Sequence, residues 1–380
     1  MATTAIHHQK HTSSSTKTII IFLFFSTLIG IAFVAYNIFH ASFSSTPISI
    51  TTNIVVDNPN STTHNENVVN NNNNNNVKEK ISERFLSATF ADLPAPQLNW
   101  EQMPTAPVPR LDGYSIQIDN LFYVFCGYAN LDHVHSHVDV YDFKSNKWIE
   151  KFDTPKEMAN SHLGIASDGR YIYIISGQKG TQCRGPTASA FVLDTKTKKW
   201  SDLPPLPFPR YAPATQLWRG RLHVMGGSKE NRHTPGLDHW SLAVKDGKAL
   251  EKQWRTEIPI PRGGPHRACI VVNDRLYVIG GQEVVALNFR TLQVVYGDVY
   301  MLDEEMKWKV LPPMPKPNSH IECAWKWSVI GKLPYRIKTT LAGYWDGWLY
   351  FTSGQRDRGP DNPQPRKVVG ETWRTKLSLP

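Results

Sequence analysis

A short apolar run that ends in a glycine pair, or in another residue followed by glycine, recurs five times along the chain. Four copies end at Gly127, Gly177, Gly227 and Gly281, which are 50, 50 and 54 residues apart, and the fifth ends at Gly354. An internal period of about 50 residues indicates a chain built from repeated β units. An ordinary β-sandwich needs no such period, so the spacing argues against that fold.

Each glycine pair closes an alternating run of β-branched and aromatic residues that has the length of a strand, such as residues 171–175. A tight-turn pair stands before each run. Such pairs tolerate positive φ and close two-residue hairpins, so each unit begins with two antiparallel strands. The turn pairs are Asp119-Asn120, Asp168-Gly169, Arg219-Gly220, Asn273-Asp274 and Asp346-Gly347.

Downstream of the glycines, the sequence predicts a third strand that ends in Asp and a fourth strand that carries Trp. A proline-rich segment follows, as at residues 203–210. Because proline lacks the amide donor that a strand interior needs, these segments must connect the units. The pairs are Asp142 with Trp148, Asp194 with Trp200, Asp246 with Trp254, and Asp303 with Trp308.

Paired glycines, then an aromatic residue and a Trp with six residues between them, form a pattern that resembles the kelch repeat. Tyr141 and Trp148 show it best, and the resemblance covers about residues 93–375. The family implies an all-β fold, a kelch-type β-propeller of four-stranded blades around a central channel. Residues 91–380 are therefore predicted to form the propeller.

The two ends of this region complement each other. The residues around Trp100 look like a fourth strand and crossover with no blade in front of them. After Gly354 the chain offers a third strand at residues 368–374 and then stops. We therefore expect the Trp100 segment to complete the last blade, begun near Pro334, which would remove an exposed sheet edge.

One interval breaks the pattern. Gly281 and Gly354 are 73 residues apart, whereas two intervals of 54 would take 108, so about 35 residues are missing. Trp327 stands only 19 residues after the previous repeat's Trp. The sequence predicts a six-bladed parent whose fifth blade is truncated between Trp325 and Lys326. A splice variant, an error in the gene prediction and a real deletion remain open as causes.

The N-terminus predicts a membrane anchor. Residues 18–39 are apolar, with no charge over the first 19, and are long enough to span a bilayer core of about 30 Å. A cleaved signal peptide has a shorter apolar region, of about 7 to 15 residues, although Ala41-Ser42 leaves cleavage open. Lys10 and Lys17 lie in the short tail of residues 1–17. The positive-inside rule therefore predicts a cytosolic tail and a lumenal propeller.

Residues 40–90 are polar and include the asparagine run from Asn70 to Asn76, which indicates a disordered stalk. Asn60, in Asn60-Ser61-Thr62, is an N-glycosylation acceptor consistent with a lumenal stalk. The whole layout resembles the plant membrane-anchored kelch repeat-containing proteins of the galactose oxidase/kelch superfamily. That resemblance implies the Golgi or another endomembrane.

The net charge is +9, and residues 91–380 carry +8 of it. Such a surface attracts acidic partners, for example polyanionic glycans or anionic head groups, although an ordinary solvated basic surface has the same charge. Basic residues do not alternate with aromatic ones in any run, so nucleic acid is not an expected partner.

The four cysteines form no metal or redox motif. Cys269 and Cys323 lie 54 residues apart, about one repeat, and Cys126 replaces the first glycine of a pair. We expect free thiols that pack in the core, while a disulfide remains possible in the lumen.

The candidate binding residues stand where the crossovers lead into the predicted channel. Arginine suits bidentate recognition of carboxylate, sulfate or phosphate, so a shared basic pocket at the channel mouth is expected. The alternative is that these side chains bond to the backbone of neighbouring blades. No metal site is expected, because a ring spreads the histidines too widely. The candidates are Arg110, His162, Arg210, Arg262, His266, His320 and Arg336.

No G-x-S-x-G, H-E-x-x-H or P-loop pattern is present, so no catalytic residue or cofactor is predicted. We expect a non-catalytic, membrane-anchored propeller that binds a protein or glycan in the lumen of the secretory pathway. The alternative, implied by the superfamily, is an enzyme similar to the copper radical oxidases that act on sugars or alcohols. Those enzymes need a Cys-linked Tyr, a second Tyr and two His, and no such set can be matched here.

Overall fold

The computed structural model describes residues 95–130, 133–181, 185–287, 290–314, 317–318, 330–356 and 367–377. Every element within these ranges is a β-strand, and none of the described residues forms a helix that could span a membrane. The predicted anchor at residues 18–39, the stalk at residues 40–90 and Asn60 lie outside the described residues.

Four four-stranded antiparallel sheets and one of five strands, among the described residues, confirm the all-β repeat. We call the first four blades 1 to 4 and the last one the final blade. In blades 1 to 4 the strands follow chain order, and in all five blades the strand that lines the centre of the ring is called the inner strand. The strands of blade 1 are Tyr114–Ile118, Leu121–Phe125, His137–Asp142 and Lys147–Asp153; of blade 2, Gly164–Ser167, Tyr171–Ile175, Ala190–Asp194 and Lys199–Leu203; of blade 3, Ala214–Trp218, Arg221–Met225, His239–Lys245 and Arg255–Thr256; and of blade 4, Ala268–Val272, Arg275–Ile279, Val299–Leu302 and Trp308–Leu311.

The final blade joins the two ends of the domain, as predicted. Its strands are Leu341–Trp345, Trp348–Thr352 and Thr372–Lys376, completed by Glu101–Met103. Glu101 pairs with Arg374, so the segment beside Trp100 supplies the fourth strand. The third strand begins four residues later than predicted, because Lys367–Val368 pairs instead with Gln355–Arg356.

Short hairpins decorate the blades. The largest is inserted in blade 4 between its second and third strands, which lengthens that repeat, and it has no counterpart in the predicted unit. The additional strands are Tyr128–Asn130, His133–Val134, Lys248–Ala249, Gln282–Leu287, Arg290–Val295, Ile337–Lys338, Gln355–Arg356 and Lys367–Val368.

The core lies between blades rather than within them. On the second strand of blade 1, Phe122 and Val124 pack towards the final blade, in a cluster with Tyr350. The alternate residues of that strand, Tyr123 and Phe125, pack against blade 2. Burial of these apolar layers against neighbouring sheets therefore stabilises the ring as a whole.

Positive φ angles at both residues confirm three of the five predicted turn pairs, Arg219-Gly220, Asn273-Asp274 and Asp346-Gly347, whereas in the other two pairs only Asp119 and Gly169 are left-handed. Arg219 and Gly220 have φ of 50° and 71°, and Asp346 and Gly347 have φ of 47° and 78°. These values match two-residue hairpins in which both central residues are left-handed. Cys126 and Cys269 are free thiols, as expected, whereas Cys183 and Cys323 lie outside the described residues.

The second glycine of each pair connects its blade to the next one. Its amide donates to a backbone carbonyl in the lead-in segment, by which we mean the four residues before an inner strand. The bonds are Gly127 to Asn160 at 2.7 Å, Gly177 to Arg210 at 3.0 Å, Gly227 to Gly264 at 3.1 Å, Gly281 to Asn318 at 2.9 Å and Gly354 to Arg110 at 2.7 Å.

The outer strands are connected by the repeat tryptophans. Each indole Nε1 donates to a backbone carbonyl of the preceding blade. The bonds are Trp148 to Pro104 at 3.0 Å, Trp200 to Asp153 at 3.2 Å, Trp254 to Pro204 at 2.8 Å, Trp308 to Ile258 at 3.1 Å and Trp100 to Lys332 at 2.8 Å.

The glycine and tryptophan hydrogen bonds together indicate a place for a fifth blade between blade 4 and the final blade. Gly281 binds the carbonyl of Asn318 as if a blade began there, and Trp100 binds the carbonyl of Lys332 as if that blade ended there. Only 14 residues separate these two points, whereas the equivalent points of blade 2, at residues 160 and 204, are 44 apart. The register supports a shortened fifth blade. Its predicted break, between Trp325 and Lys326, lies outside the described residues.

The faces beside the fifth position are less covered than their repeat equivalents. Tyr277 of blade 4 is partly exposed, whereas Tyr123 and Tyr173 at the same position are 1% and 0% exposed. On the opposite side, Leu349 of the final blade is partly exposed, whereas the equivalent Leu222 is fully buried. Both faces have the reduced burial expected where a full blade is missing from between them.

Candidate functional site

In every blade, one non-glycine residue of the lead-in segment has a left-handed backbone conformation. Two positions before each inner strand, the backbone is left-handed, with φ between 47° and 60°. The amide of Ala212 donates to the carbonyl of His162, and the amide of His266 donates to that of Ala212, which links successive blades around the channel. The five residues are Asp112, His162, Ala212, His266 and Thr339.

A cavity of about 370 Å³ occupies the centre of the ring, lined by the inner strands of all five blades. His162, His266 and Asp112 lie at the end where the lead-in segments enter, which we call the channel mouth. The wall below them carries hydroxyl, amide and guanidinium groups as well as apolar atoms. A cavity of this size and polarity admits one or two side chains of a partner or a small polar ligand.

Three rings form a packed cluster at the mouth. His162 stacks on Tyr211 with ring centroids 4.1 Å apart and an interplanar angle of 24°. His266 meets His162 edge-on at 5.2 Å and Tyr211 at 5.6 Å. All three residues are buried. Because each ring contacts the other two, the cluster forms a rigid wall for the mouth.

A chain of hydrogen bonds holds His162 from behind. Its Nδ1 lies 3.0 Å from the Ser161 hydroxyl, which donates to the Tyr128 hydroxyl at 2.8 Å. The Gln178 amide donates to the same Tyr128 oxygen at 2.7 Å. Since the Ser161 proton goes to Tyr128, the serine oxygen is placed to accept a proton from Nδ1 of His162. The opposite ring nitrogen then faces the mouth.

Asp112 faces that nitrogen across the mouth, with 3.6 Å between its Oδ2 and Nε2 of His162. Burial raises the pKa of Asp112 to about 6, while the positive charges of Lys338 and Arg232 act in the opposite direction. The Arg232 guanidinium lies 5.0 Å from the centre of the Tyr211 ring. The charge at the mouth therefore changes near neutral pH.

Several polar atoms in the cavity wall have no hydrogen-bond partner among the described residues. They are Oγ1 of Thr215, Oγ1 of Thr339 and Nη2 of Arg267. The nearest carboxylate oxygen to that nitrogen, on Asp298, is 3.6 Å away. Buried polar groups normally find partners, so these three atoms indicate a place where water or a ligand binds.

The expectation of four guanidiniums in one pocket is wrong for the residues described. Arg110 is buried in an ion pair with Asp139, and Arg210 pairs with Asp238 while lying over Trp240. The physical reason is that each arginine neutralises a carboxylate near the third strand of its blade. These pairs give the two arginines a structural role, but with carboxylates of their own blade rather than with the neighbouring backbone that the alternative predicted.

The remaining candidates divide. His162 and His266 line the cavity, as expected. Arg262 instead pairs with Asp298 at 3.1 Å and lies over Tyr296, and Arg336 is not part of the cavity wall. His320 lies outside the described residues.

Sequence reasoning missed Asp112, Tyr211 and Arg267. A signal was available for Asp112, because aligning the lead-in segments on their inner strands puts it in register with His162 and His266. Arg267 follows His266 directly, and it reaches the cavity because the residue before an inner strand turns inward.

The part of the chain that the structure describes contains no preformed metal-binding site. No three side chains from His, Cys, Asp and Glu are grouped there as ligands of one ion. The thiol of Cys126 is fully buried, and burial raises its pKa to about 12, so it behaves as a packing group.

Known proteins resemble this chain at several levels. Residues 154–332 match the family described as the KLHDC2/KLHL20/DRC7 Kelch-repeats domain. The chain is 24% identical over 229 residues to Kelch repeat and BTB domain-containing protein 12 of Homo sapiens, covering 58% of this chain and 34% of that protein. A solved structure of YjhT superimposes with a TM-score of 0.54 at 15% identity, covering 71% of this chain and 96% of YjhT, which supports the fold alone.

A plant protein is much more similar. Kelch repeat-containing protein At3g27220 of Arabidopsis thaliana is 61% identical over 342 residues, covering 78% of this chain and 80% of the relative. Because 78% of 380 residues is about 296, about 46 of the 342 aligned positions have no residue in this chain. The difference has the direction that a shortened blade requires. The chain belongs to the kelch repeat-containing proteins.

Proposed function

We propose that the protein is a non-catalytic kelch propeller that binds an acidic segment of a protein partner, or an acidic glycan, at the channel mouth. Kelch-repeat domains mediate protein interactions, which makes binding the primary expectation. The observation that carries the proposal is the set of unpartnered donors on Thr215, Thr339 and Arg267 inside the cavity, among the described residues. A carboxylate entering the mouth would supply an acceptor for such donors.

The charges around the mouth favour an acidic ligand. Arg267 lines the cavity, while Lys338 and Arg232 lie close enough for their positive charges to oppose the rise in the pKa of Asp112. Below pH 6, protonation of Asp112 removes the one carboxylate that faces His162 in the described part of the chain. Binding of an acidic ligand should therefore strengthen as the pH falls through about 6.

A matched set of threonine variants tests this site. Thr215→Val and Thr339→Val remove the unpartnered hydroxyls with little change of shape, whereas the hydroxyl of Thr340, which also lines the cavity, already bonds to the carbonyl of Thr352. The full-length chain and its variants would be used for quantitative affinity capture from plant microsomes. Partners should be depleted by the first two changes and retained by Thr340→Val. Equal capture by all variants would exclude the cavity as the binding site.

In this proposal, residues 18–39 anchor the protein with residues 1–17 in the cytosol, and residues 40–90 extend the propeller into the lumen of the Golgi or another endomembrane compartment. The apolar length and the flanking Lys10 and Lys17 support this topology. Sealed microsomes should protect the propeller from added protease. Endoglycosidase should lower the mass of the wild-type chain but not of Asn60→Gln. A propeller digested in intact vesicles would reverse the topology.

We also infer that the ring has six positions and that the fifth blade is shortened. The bonds from Gly281 to Asn318 and from Trp100 to Lys332 support this reading. Transcripts that cross the codons for Trp325 and Lys326 distinguish its causes. An in-frame insert in the main transcript would show that this chain is a shortened form of a protein with a complete fifth blade. A seamless junction would show that the natural protein has the shortened blade.

An enzyme similar to the copper radical oxidases is the competing function, and it rests on the superfamily alone. Copper content and peroxide release with sugars and alcohols decide between the two. One copper per chain together with turnover would overturn the binding proposal.

A further inference from the structure

A second cleft lies between blade 1 and the final blade, at the opposite end of the sheets from the channel mouth. Its volume is about 280 Å³. The turn after the inner strand of the final blade forms one wall, with Trp345 and Trp348, and the turn between the third and fourth strands of blade 1 forms the other, with Lys144 and Asn146. No part of the proposed channel site contributes to it, so the cleft requires its own explanation.

Two indoles flank the turn of the final blade. Asp346 and Gly347 are both left-handed, which makes a two-residue hairpin and pairs Trp345 directly with Trp348. Both indoles are partly buried and line the cleft. No other described blade places two aromatic residues here: the equivalent pairs are Ile118 with Leu121, Asp168 with Tyr171, Trp218 with Arg221, and Val272 with Arg275.

Cations surround the indoles. The guanidinium of Arg374 lies 4.0 Å from the Trp348 ring centre, and the ammonium of Lys376 lies 5.3 Å from it. The ammonium of Lys144, an exposed residue, lies 5.7 Å from the centre of the Trp345 ring. Trp348 is thus already covered by two cations, whereas Trp345 has only the exposed Lys144 ammonium near it among the described residues.

Asn146 presents a hydrogen-bond donor to the cleft. Its Oδ1 accepts from the hydroxyl of Tyr350 at 3.1 Å and also from Tyr141 and Arg374, each at 3.5 Å. Three donors converging on one atom identify it as the oxygen and fix the orientation of the amide. The nitrogen, Nδ2, makes no hydrogen bond with another described residue.

We propose that this cleft binds an acidic sugar. The apolar face of a pyranose ring would lie on the indole of Trp345, and a ring hydroxyl would accept from Asn146 Nδ2. A carboxylate or sulfate would bind the exposed ammonium of Lys144, because the guanidinium of Arg374 is already paired with Glu101 at 2.7 Å. An apolar peptide side chain would leave the amide donor unsatisfied, and a free inorganic anion would make no use of the indole. The combination of the Trp345 face, the Asn146 donor and the Lys144 ammonium therefore favours an anionic saccharide.

Calorimetry on the full-length chain in detergent micelles tests the proposal, with trigalacturonic acid as the probe. Its methyl ester is the neutral comparison, and a galactose trisaccharide with one sulfate distinguishes sulfate from carboxylate. The acid should bind, the ester should bind about tenfold more weakly, and added salt should weaken only the acid, because the cations act through charge.

Three variants localise the binding. Trp345→Ala should weaken trigalacturonic acid about tenfold, and Lys144→Glu should abolish the preference for the acid over its ester. Tyr344→Ala is the matched control, since Tyr344 precedes Trp345, is 44% exposed and does not line the cleft. Because Lys144 is exposed, its variant remains informative if Trp345→Ala unfolds. No binding of either anionic trisaccharide, or unchanged binding by Lys144→Glu, would overturn the proposal.

Discussion

At the scale of single residues, the second glycine of each pair has two tasks. Its amide reaches the next blade, and its own Cα packs against the lead-in segment of its blade. At Gly177 the φ angle is 104°, and a Cβ would lie 2.8 Å from the carbonyl oxygen of Ser161. The first position of the pair has no equivalent requirement, and Cys126, Ser176 and Ser353 occupy it with φ between 51° and 61°.

Replacing Gly177 with alanine should therefore destabilise the protein more than left-handed strain alone does. Gly169 provides the control, because its φ is 93° and a methyl group on its Cα would meet no heavy atom within 4 Å. Gly169→Ala should cost about 1 kcal/mol for φ strain, and Gly177→Ala about 2 kcal/mol more for the collision. Urea unfolding of the full-length chain would measure both. Equal losses would show that the collision relaxes without cost.

Two buried histidines should make the fold sensitive to acid. Nδ1 of His223 lies 2.8 Å from Nε2 of His239, and burial lowers the pKa of His223 to about 3 and that of His239 to about 4. Unfolded histidines titrate near 6.5, so below that pH the unfolded state binds more protons. The pair's contribution to stability is complete above pH 6.5 and is lost as the pH falls towards 3.

The free energy of unfolding should accordingly fall by about 5 kcal/mol between pH 6.5 and 4, with about half from each histidine. The double variant His223→Phe with His239→Leu should show a flatter pH dependence over that range. His233→Gln, at an exposed position, should leave the slope unchanged. An unaltered slope in the double variant would assign the acid sensitivity to other groups.

Sequence alone predicted the residues whose role depends on local conformation. The turn pairs and glycines follow from their tolerance of positive φ, which is a property of the residue itself. The arginines were misread because their partners lie far along the chain: Asp139 is 29 residues after Arg110, and Asp238 is 28 after Arg210. Nothing in the local pattern reveals that these charges are buried together.

At the scale of elements, the repeat tryptophan fastens each outer strand to the preceding blade. Trp254 is 7% exposed, and its indole nitrogen donates to the carbonyl of Pro204 at 2.8 Å. The indole body also joins the apolar cluster between blades 2 and 3. The residue therefore contributes both packing and a hydrogen bond whose loss would leave a carbonyl without its partner.

Trp254→Phe should cost about 1 to 3 kcal/mol, from the lost hydrogen bond and the smaller ring. Trp345→Phe is the comparison, because Trp345 is only partly buried and its indole nitrogen makes no hydrogen bond with another described residue. Thermal unfolding monitored by circular dichroism would rank the two. A larger loss at Trp345 would contradict the role assigned to the bond between blades.

The strands themselves were predictable, and the insertions were not. Alternating apolar runs located the second strand of every blade, and the Asp and Trp spacing located the third and fourth. The hairpin of Gln282–Leu287 with Arg290–Val295 has no copy in the other described repeats. The repeat period therefore could not predict it. In the final blade, a similar short pairing displaced the third strand to Thr372–Lys376.

At the scale of the whole molecule, the described residues form five blades, and the bonds of Gly281 and Trp100 support the proposed sixth position in the ring. Each inner strand packs against the inner strand of the next blade, in the order final blade, 1, 2, 3 and 4. Among the described residues, the inner strands of blade 4 and the final blade contact each other less than these neighbouring pairs do. Tyr277 and Leu349 are partly exposed on the two faces of the break. A shortened blade explains the break, the reduced burial and the hydrogen-bond register together.

Restoring a full fifth blade should stabilise the protein. An insertion of about 30 residues between Trp325 and Lys326, copied from the second and third strands of blade 2, would cover Tyr277 and Leu349. The melting temperature should rise by about 2 to 4 °C for each kcal/mol gained. A glycine-serine insertion of the same length is the control and should give no increase. An equal rise with both insertions would mean that relief of strain, rather than burial, is responsible.

The spacing between blades tests the six-position ring most directly. Spin labels at the exposed turns would report it in the full-length chain, after the four native cysteines are changed to alanine. Labels at Asn273 and Asp346, on either side of the break, should give the distance measured between Asp168 and Asn273, which are two blades apart. If the Asn273 to Asp346 distance equals that between Asp119 and Asp168, which are neighbours, the ring has closed with five blades and the account is wrong.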